Sequence, residues 1–323
     1  DQLSRTTVVL VSLGFAVVAV TALALSRSYA VFLVAVAILG MALGLYIPSS
    51  RTLLSDLFRE KRGRAFGLNM VGSDLSGILA AGLAVWIVSV ATWRGAFLPL
   101  ALVLLPLPFV LYRLSTEPVT VERVEFGLVE TAGRVFRSSS TRWLLVVYSL
   151  FVTASSGMIS FLPTFLIEVH GFAFAFASSA FALVYAVGIV VKPASGTLSD
   201  RGPRPLVAGG SLVLAGGGLA AVVAAPVKWM VIGGVVVYAL GQRSVPPALQ
   251  AFLMDRFPDE SMGGDLGAVR TVYMTVGSLG PGYTGFVAST TGFVPAYVSL
   301  LLFFLVGGLI LLWFSTFGWP SSK

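Results

Sequence analysis

The sequence predicts an all-α, polytopic membrane protein. Hydrophobic residues make up 57% of the 323-residue chain and charged residues 11%. A water-soluble domain carries about 25% charged residues, so water is not the main solvent here. Ten apolar runs follow one another with short breaks, and each approaches the about 20 residues that a helix needs to cross a bilayer. The chain also repeats itself. Asp1 and Asp200, Arg5 and Arg204, Pro48 and Pro247, Asp56 and Asp255, and Phe58 and Phe257 are each 199 positions apart. Such a shared offset reads as two related halves, the first lacking its beginning.

In order, the spans fall near 6–26, 29–54, 66–91, 95–112, 143–166, 173–195, 205–225, 229–253, 266–288 and 292–315. They have to be helices, because lipid offers the backbone no hydrogen-bond partner. The first two are parted by a break holding Arg27, and the second ends in the charged stretch from Asp56 to Arg64. The third carries Gly77-Ile-Leu-Ala-Ala-Gly82; small residues let helices approach closely where lipid supplies no hydrophobic drive. The fourth follows Trp93-Arg94. The fifth opens on Trp143 at an interface, where Trp anchors helices, and holds Gly157 and Pro163, which allow it to bend. The sixth and seventh flank the charged turn Gly196-Thr-Leu-Ser-Asp-Arg-Gly-Pro-Arg204. The Gly run 216–218 lies inside the seventh and lacks the Gly-Lys-Ser/Thr of a phosphate loop. The eighth encloses Gln242-Arg243, the ninth Gly280-Pro281, and the tenth is apolar throughout. The domain organisation that follows is a partial four-span bundle over 1–113, a linker over 114–142 and a six-span bundle over 143–323. In the linker, Val121, Val124, Leu128, Ala132 and Val135 at helical spacing suggest a short amphipathic helix on the membrane face.

The basic residues are unevenly placed. Alternate breaks hold Arg5; Arg59, Lys61, Arg62 and Arg64; Arg113, Arg123, Arg134, Arg137 and Arg142; Arg201 and Arg204; Arg256 and Arg270; and Lys323, fifteen in all. The other breaks hold Arg27, Arg94 and Lys228. By the positive-inside rule the first set is cytoplasmic, with both chain ends on that side. The net charge of +7 is thus a topology signal, and it leaves no basic surface domain for nucleic acid. With no Cys and one His, disulfides and Cys- or His-based metal centres are not expected, and no cofactor is called for. His170 reads as a solvated outer-loop residue.

Gly-x-Leu-x-Asp-Arg-x-x-Arg between two spans, with Asp1 and Arg5 as the tail of an equivalent turn six spans earlier, resembles the major facilitator superfamily. Gly196, Leu198, Asp200, Arg201, Gly202 and Arg204 match its loop motif. Trp93-Arg94 and Asp56-Leu-Phe followed by Arg62-Gly-Arg64 are also similar to its pattern. The resemblance implies that the ten spans correspond to the family's helices 3 to 12. It implies a secondary active transporter that works by alternating access around a central site, for a small-molecule substrate in the lipid bilayer, acting as a monomer. It further implies that Asp1, Arg5, Gly196, Asp200, Arg201, Arg204 and Arg270 belong to a conformational latch. Two features depart from the family. Val36 stands where many proton-coupled members carry an arginine, and the Gly72–Ala81 stretch lacks the proline of the antiporter motif.

Charged groups at membrane depth cost roughly 2.5–3.5 kcal/mol each on insertion scales, and they mark function by default. Asp74 lies roughly 12 Å into its span at about 1.5 Å per residue. It is either a proton-carrying or cation-binding group or a structural partner on a neighbouring helix. Arg243, beside Gln242, is either a binding group for an anionic solute, a counter-ion to a coupling carboxylate, or a packing salt bridge. Tyr148, Ser156 and Ser160 in the fifth span either bond the solute or pack helices. Arg51 and Lys192 lie nearer the surface and can snorkel; Lys192, before Pro193, reads as steadying the loop. The expected function is therefore transport of a small organic solute, driven by protons. Export of hydrophobic compounds and a transport-inactive scaffold stand as alternatives. A membrane-embedded enzyme is disfavoured, since no catalytic constellation converges at depth.

Overall fold

The computed structural model describes residues 5–57, 62–90, 92–114, 133, 137–257 and 262–319. The linker helix expected within 114–142 lies outside the described residues. All regular structure among the described residues is helical: α1 (Arg5–Leu25), α2 (Tyr29–Leu57), α3 (Arg62–Val90), a 3-10 turn (Trp93–Ala96), α4 (Phe97–Leu104), α5 (Leu107–Leu114), α6 (Ser139–Glu168), α7 (Phe174–Arg201), α8 (Arg204–Ala224), α9 (Lys228–Met254), α10 (Met262–Gly277), α11 (Leu279–Thr291) and α12 (Phe293–Phe317). Pro106 interrupts α4–α5, and α10–α11 break at Ser278, so these pairs each make one span and ten spans result among the described residues. Seven of the ten are long and apolar enough to cross a membrane on length and composition alone. The other three are α3, α9 and α10–α11. Asp74 sits in the first, Arg243 and two prolines in the second, and the third is broken midway. They are less apolar because they carry the polar groups.

The chain forms two compact units. One comprises Asp1–Ser73 with Gly82–Phe126; the other comprises Gly127–Lys323 together with the middle of α3, Asp74–Ala81. In the first unit α1 packs on α2, α4 and α5. Ala35 and Ala42, seven residues apart on α2, are buried, so small side chains bring α2 against its neighbour. Arg94 Nε donates to Ser26 O at 2.6 Å, just past the end of α1. Its guanidinium lies 4.5 Å from the Trp93 ring centroid. A helix end leaves carbonyls unpaired, and Arg94 attends to this one.

In the second unit α8 runs along α9 and α12, and α6 packs on α10, α11 and α12. The α8–α9 contact is backbone on backbone. A Cβ on Gly218 would strike the main chain of Tyr238, and one on Gly241 would strike Ala215 and Ser211 O. The Gly run 216–218 is therefore a helix-packing surface, consistent with its apolar setting.

The break between α10 and α11 has a local cause. Pro281 has no N–H and cannot bond Gly277 O, four residues back. Ser156 Oγ of α6 donates to that carbonyl at 2.8 Å. Thr153 Oγ1 reaches the neighbouring Val276 O at 3.4 Å. Gly280 makes the approach possible, since a Cβ there would overlap Ser156 Oγ and Thr153 O. Ser156 thus repairs a proline break. We expect Ser156→Ala to lower stability by about 1 kcal/mol, seen as a reduced melting temperature in detergent, with solute KM unchanged. A raised KM at an unchanged melting temperature would instead make Ser156 a solute contact.

Candidate functional site

Three helices of the second unit bring charge together. On α3, Asp74, Gly77 and Ala81 are buried while the residues between them are largely exposed, which is the i, i+3, i+7 spacing of one helix face. On α7, Tyr185, Gly188, Lys192, Ser195 and Ser199 follow the same spacing as a small and polar stripe. On α9, Tyr238, Gln242 and Arg243 lie just before Pro246-Pro247.

Asp74 is 1% exposed. Lys192 Nζ donates to both of its carboxylate oxygens, at 2.8 Å to Oδ1 and 2.7 Å to Oδ2. Arg243 Nη1 stands 3.7 Å from Asp74 Oδ1, inside Coulombic range but beyond a hydrogen bond. Lys192 is therefore the primary partner and Arg243 the secondary one. The Arg243 guanidinium lies 4.2 Å from the Tyr185 ring centroid. Two glycines make room for this arrangement. A Cβ on Gly188 would come to 3.2 Å from both Asp74 oxygens and from Arg243 Cδ, and a Cβ on Gly77 would overlap the Tyr185 ring. One turn beyond Lys192, Ser195 Oγ donates to Ser244 O at 2.7 Å, pinning α7 to α9 beside the charges.

The site is positively unbalanced, with two cations and one anion in a buried setting. Arg243 Nε and Nη2 and Gln242 Oε1 are buried with no hydrogen-bond partner among the described residues. Tyr238 Oη and Ser155 Oγ, also buried, face each other closely enough to interact, with Arg243 and Tyr185 within electrostatic reach of the Tyr238 hydroxyl. Native proteins leave few buried polar atoms unpaired, so this group on adjoining helices is the candidate site.

The structure thus brings Asp74 and Arg243 together, with Gln242 one residue away. Lys192 does not steady a loop as its position suggested; it is the main counter-ion. Helical phase would have revealed it, since it shares a face with Tyr185 and Gly188. Tyr148 stacks on Tyr273 with ring centroids 4.4 Å apart and donates weakly to Gln250 Oε1 at 3.5 Å. Ser156 is engaged at the α11 proline, and Ser160 is exposed. The side chains of Arg51 and Arg5, and all of Asp1, lie outside the described residues. His170 is half-buried rather than solvated: its Nε2 meets Val222 O at 3.1 Å, and the ring stacks on Phe172.

Of the residues expected to form a latch, Gly196, Asp200, Arg201 and Arg204 lie where α7 ends and α8 begins, near the end of α9. Gly196 is near the end of α7, and Arg201 is in its last turn, where a cation suits the helix dipole. Asp200 is largely exposed, with an oxygen 3.9 Å from Arg204 Nη2. Arg204 Nη1 pairs with Asp255 and also donates to Ala251 O at 3.1 Å, capping the C-terminal carbonyls of α9. Arg270 is half-buried on α10.

The description "Major Facilitator Superfamily" belongs to the family whose sequence model matches residues 1–281 and 198–321. No curated protein matches the chain. Among solved structures, the chain is similar to the human organic anion transporter MFSD10 (TETRAN). The TM-score is 0.70 and the identity 16%, over 95% of this chain and 77% of that one. It is also similar to a bacterial homologue of the human lysosomal transporter Spinster in an inward-facing, occupied conformation. Here the TM-score is 0.76 and the identity 18%, over 99% of this chain and 85% of the other. At these identities the likeness is one of fold, but the family model spans nearly the whole sequence, and the chain belongs to the Major Facilitator Superfamily of membrane transporters.

Proposed function

We propose that this secondary transporter moves small organic anions across the cell membrane by alternating access, coupled to protons, with the Asp74–Lys192–Arg243 cluster at its binding site. The observation that carries the reading is the surplus positive charge around one buried carboxylate, joined to a buried guanidinium edge that no described protein group hydrogen-bonds. A solute anion would neutralise the surplus where low dielectric makes it costly. The MFSD10 structure, described as that of an organic anion transporter, points the same way, although the weight rests on this chain's own side chains. Asp74 is the natural proton carrier, since protonation would release it from Lys192. The basic asymmetry favours both ends of the chain on the cytoplasmic side. The protein is taken to work as a monomer.

In proteoliposomes, a panel of organic anions tested with and without an imposed proton gradient should yield at least one solute accumulated only when the gradient is present. Accumulation that survives collapse of every ion gradient would identify a uniporter. Asp74→Asn should abolish proton-driven accumulation while sparing much of solute exchange at equal pH. Equal losses in both assays would remove Asp74 from coupling.

The Arg204–Asp255 pair and the exposed Asp200 are expected to hold one state of the cycle. Arg204→Gln should lower kcat several-fold with solute Kd unchanged. Its effect on stability should be small, because partly exposed pairs contribute about 0–1 kcal/mol. An unchanged turnover would remove Arg204 from the latch.

A further inference from the structure

Arg243 presents two edges. Nη1 is turned to Asp74. Nε and Nη2 form another edge, and both are buried with no partner in the protein. Nε–H and Nη2–H are the parallel donors that grip a carboxylate side-on. The guanidinium face is covered by Tyr185 at 4.2 Å, so a ligand has to meet Arg243 in its plane. Beside it stand the buried hydroxyls of Tyr238 and Ser155, which face each other and have no further partner among the described residues, and the unpaired carbonyl oxygen of Gln242.

Charge decides the class of ligand. Lys192 and Arg243 against Asp74 leave one positive charge. A monoanion brings the buried site to neutrality, whereas a dicarboxylate or a phosphate monoester dianion leaves it net negative, which is costly away from water. Shape agrees, because a planar two-oxygen group matches a planar two-donor edge. The Tyr238 and Ser155 hydroxyls, with only each other to bond, and the unpaired Gln242 Oε1 then ask for a polar substituent near the carboxylate, since buried polar groups are costly to leave short of partners.

We infer that the solute is a monocarboxylate bearing a hydroxyl or similar polar group close to its carboxylate, held side-on by Arg243 Nε and Nη2, with Tyr238 and Ser155 as the residues that select for the substituent. This rests on the reading of the cluster as an organic anion site and narrows it. The Arg243 guanidinium is the anion anchor. Tyr238 is a specificity residue, distinct from the Asp74–Lys192 pair that carries coupling.

The test uses the full chain purified in detergent, with affinities measured by titration calorimetry and by thermal shift. The probes are matched on one skeleton: benzoate, 2-hydroxybenzoate, phthalate and phenyl phosphate, with propionate, 2-hydroxypropionate and succinate as a smaller set. Within at least one set the hydroxylated monocarboxylate should bind most tightly, by about tenfold or more over the dianions. Arg243→Lys keeps the charge but removes the fork, and it should weaken that ligand by about tenfold or more. Tyr238→Phe should erase the advantage of the hydroxylated over the plain monocarboxylate while leaving the plain one unchanged. It leaves the ion cluster intact, so it decides the matter even where Arg243→Lys fails to fold. Tighter binding of phthalate, succinate or phenyl phosphate, or an unaltered hydroxyl preference in Tyr238→Phe, would overturn the inference and leave an anion transporter of another selectivity. Binding of no anion in either set would overturn both the inference and the anion reading beneath it.

Discussion

The Asp74–Lys192 pair is the constraint to which the second unit is fitted. A buried ion pair recovers its desolvation cost only with close geometry and further hydrogen bonds, and removing one partner typically costs about 3–5 kcal/mol. Lys192 meets this by donating to both carboxylate oxygens, and Arg243 adds field without a formed bond. The surrounding sequence follows from the need to bring three helices to this point. Gly188 clears space against the carboxylate, Gly77 admits Tyr185, and Tyr185 covers Arg243. The Ser195 hydroxyl, one turn on, fixes α7 to the α9 backbone. None of these choices improves membrane partitioning, and the charges they surround, Asp74 on α3 and Arg243 on α9, help to explain why those two spans are among the least apolar.

Elsewhere in the unit, several described hydroxyls at membrane depth are engaged with the backbone. Thr284 donates to Gly280 O at 2.8 Å, Ser244 to Leu240 O at 2.7 Å, Ser156 to the Gly277 carbonyl that Pro281 leaves unpaired, and Tyr297 to Met158 O at 3.1 Å. This is the behaviour lipid enforces, because an unpaired polar group finds no water there. Against that background the unpaired atoms of Gln242 and Arg243, and the Tyr238 and Ser155 hydroxyls that have only each other, differ in kind. They sit beside the Asp74–Lys192–Arg243 charge cluster.

Much of the fold was legible in the sequence. Run length and the breaks between runs gave the ten spans, and depth alone marked Asp74 and Arg243 as unusual. Lys192 was misread because its distance from the end of the span was weighed without its helical phase. Read as a stripe, Tyr185, Gly188, Lys192, Ser195 and Ser199 show one small and polar face on an otherwise apolar helix, which is the signature of a face turned to protein. Ser156 was ambiguous for a different reason. Its role depends on Pro281, 125 residues away, and nothing in its own helix reveals that a carbonyl elsewhere lacks a donor. His170 was taken as solvated because its loop is polar, but Phe165 and Phe172 pack around it. Arg204 and Asp255, which pair in the structure, each belong to a repeat couple separated by 199 residues, so the repeat had already singled out both partners without showing that they meet.

The two cations of the cluster are not interchangeable, and the difference bears on how such a site can cycle. Lys192 is a compact charge whose donors are turned to Asp74; whatever loosens Asp74 also loosens Lys192. Arg243 is planar, stays charged under all ordinary conditions, and can serve Asp74 with one edge while offering the other to a solute. Coupling and binding can thus be divided between two side chains that share one carboxylate. A proton arriving at Asp74 would weaken its hold on both cations at once and strengthen the pull of both on a bound anion. An anion arriving at Arg243 would compete with Asp74 for that cation and loosen the carboxylate's hold on it. Each event favours the other, which is the reciprocity that linkage requires, and it follows from three side chains sharing one desolvated site.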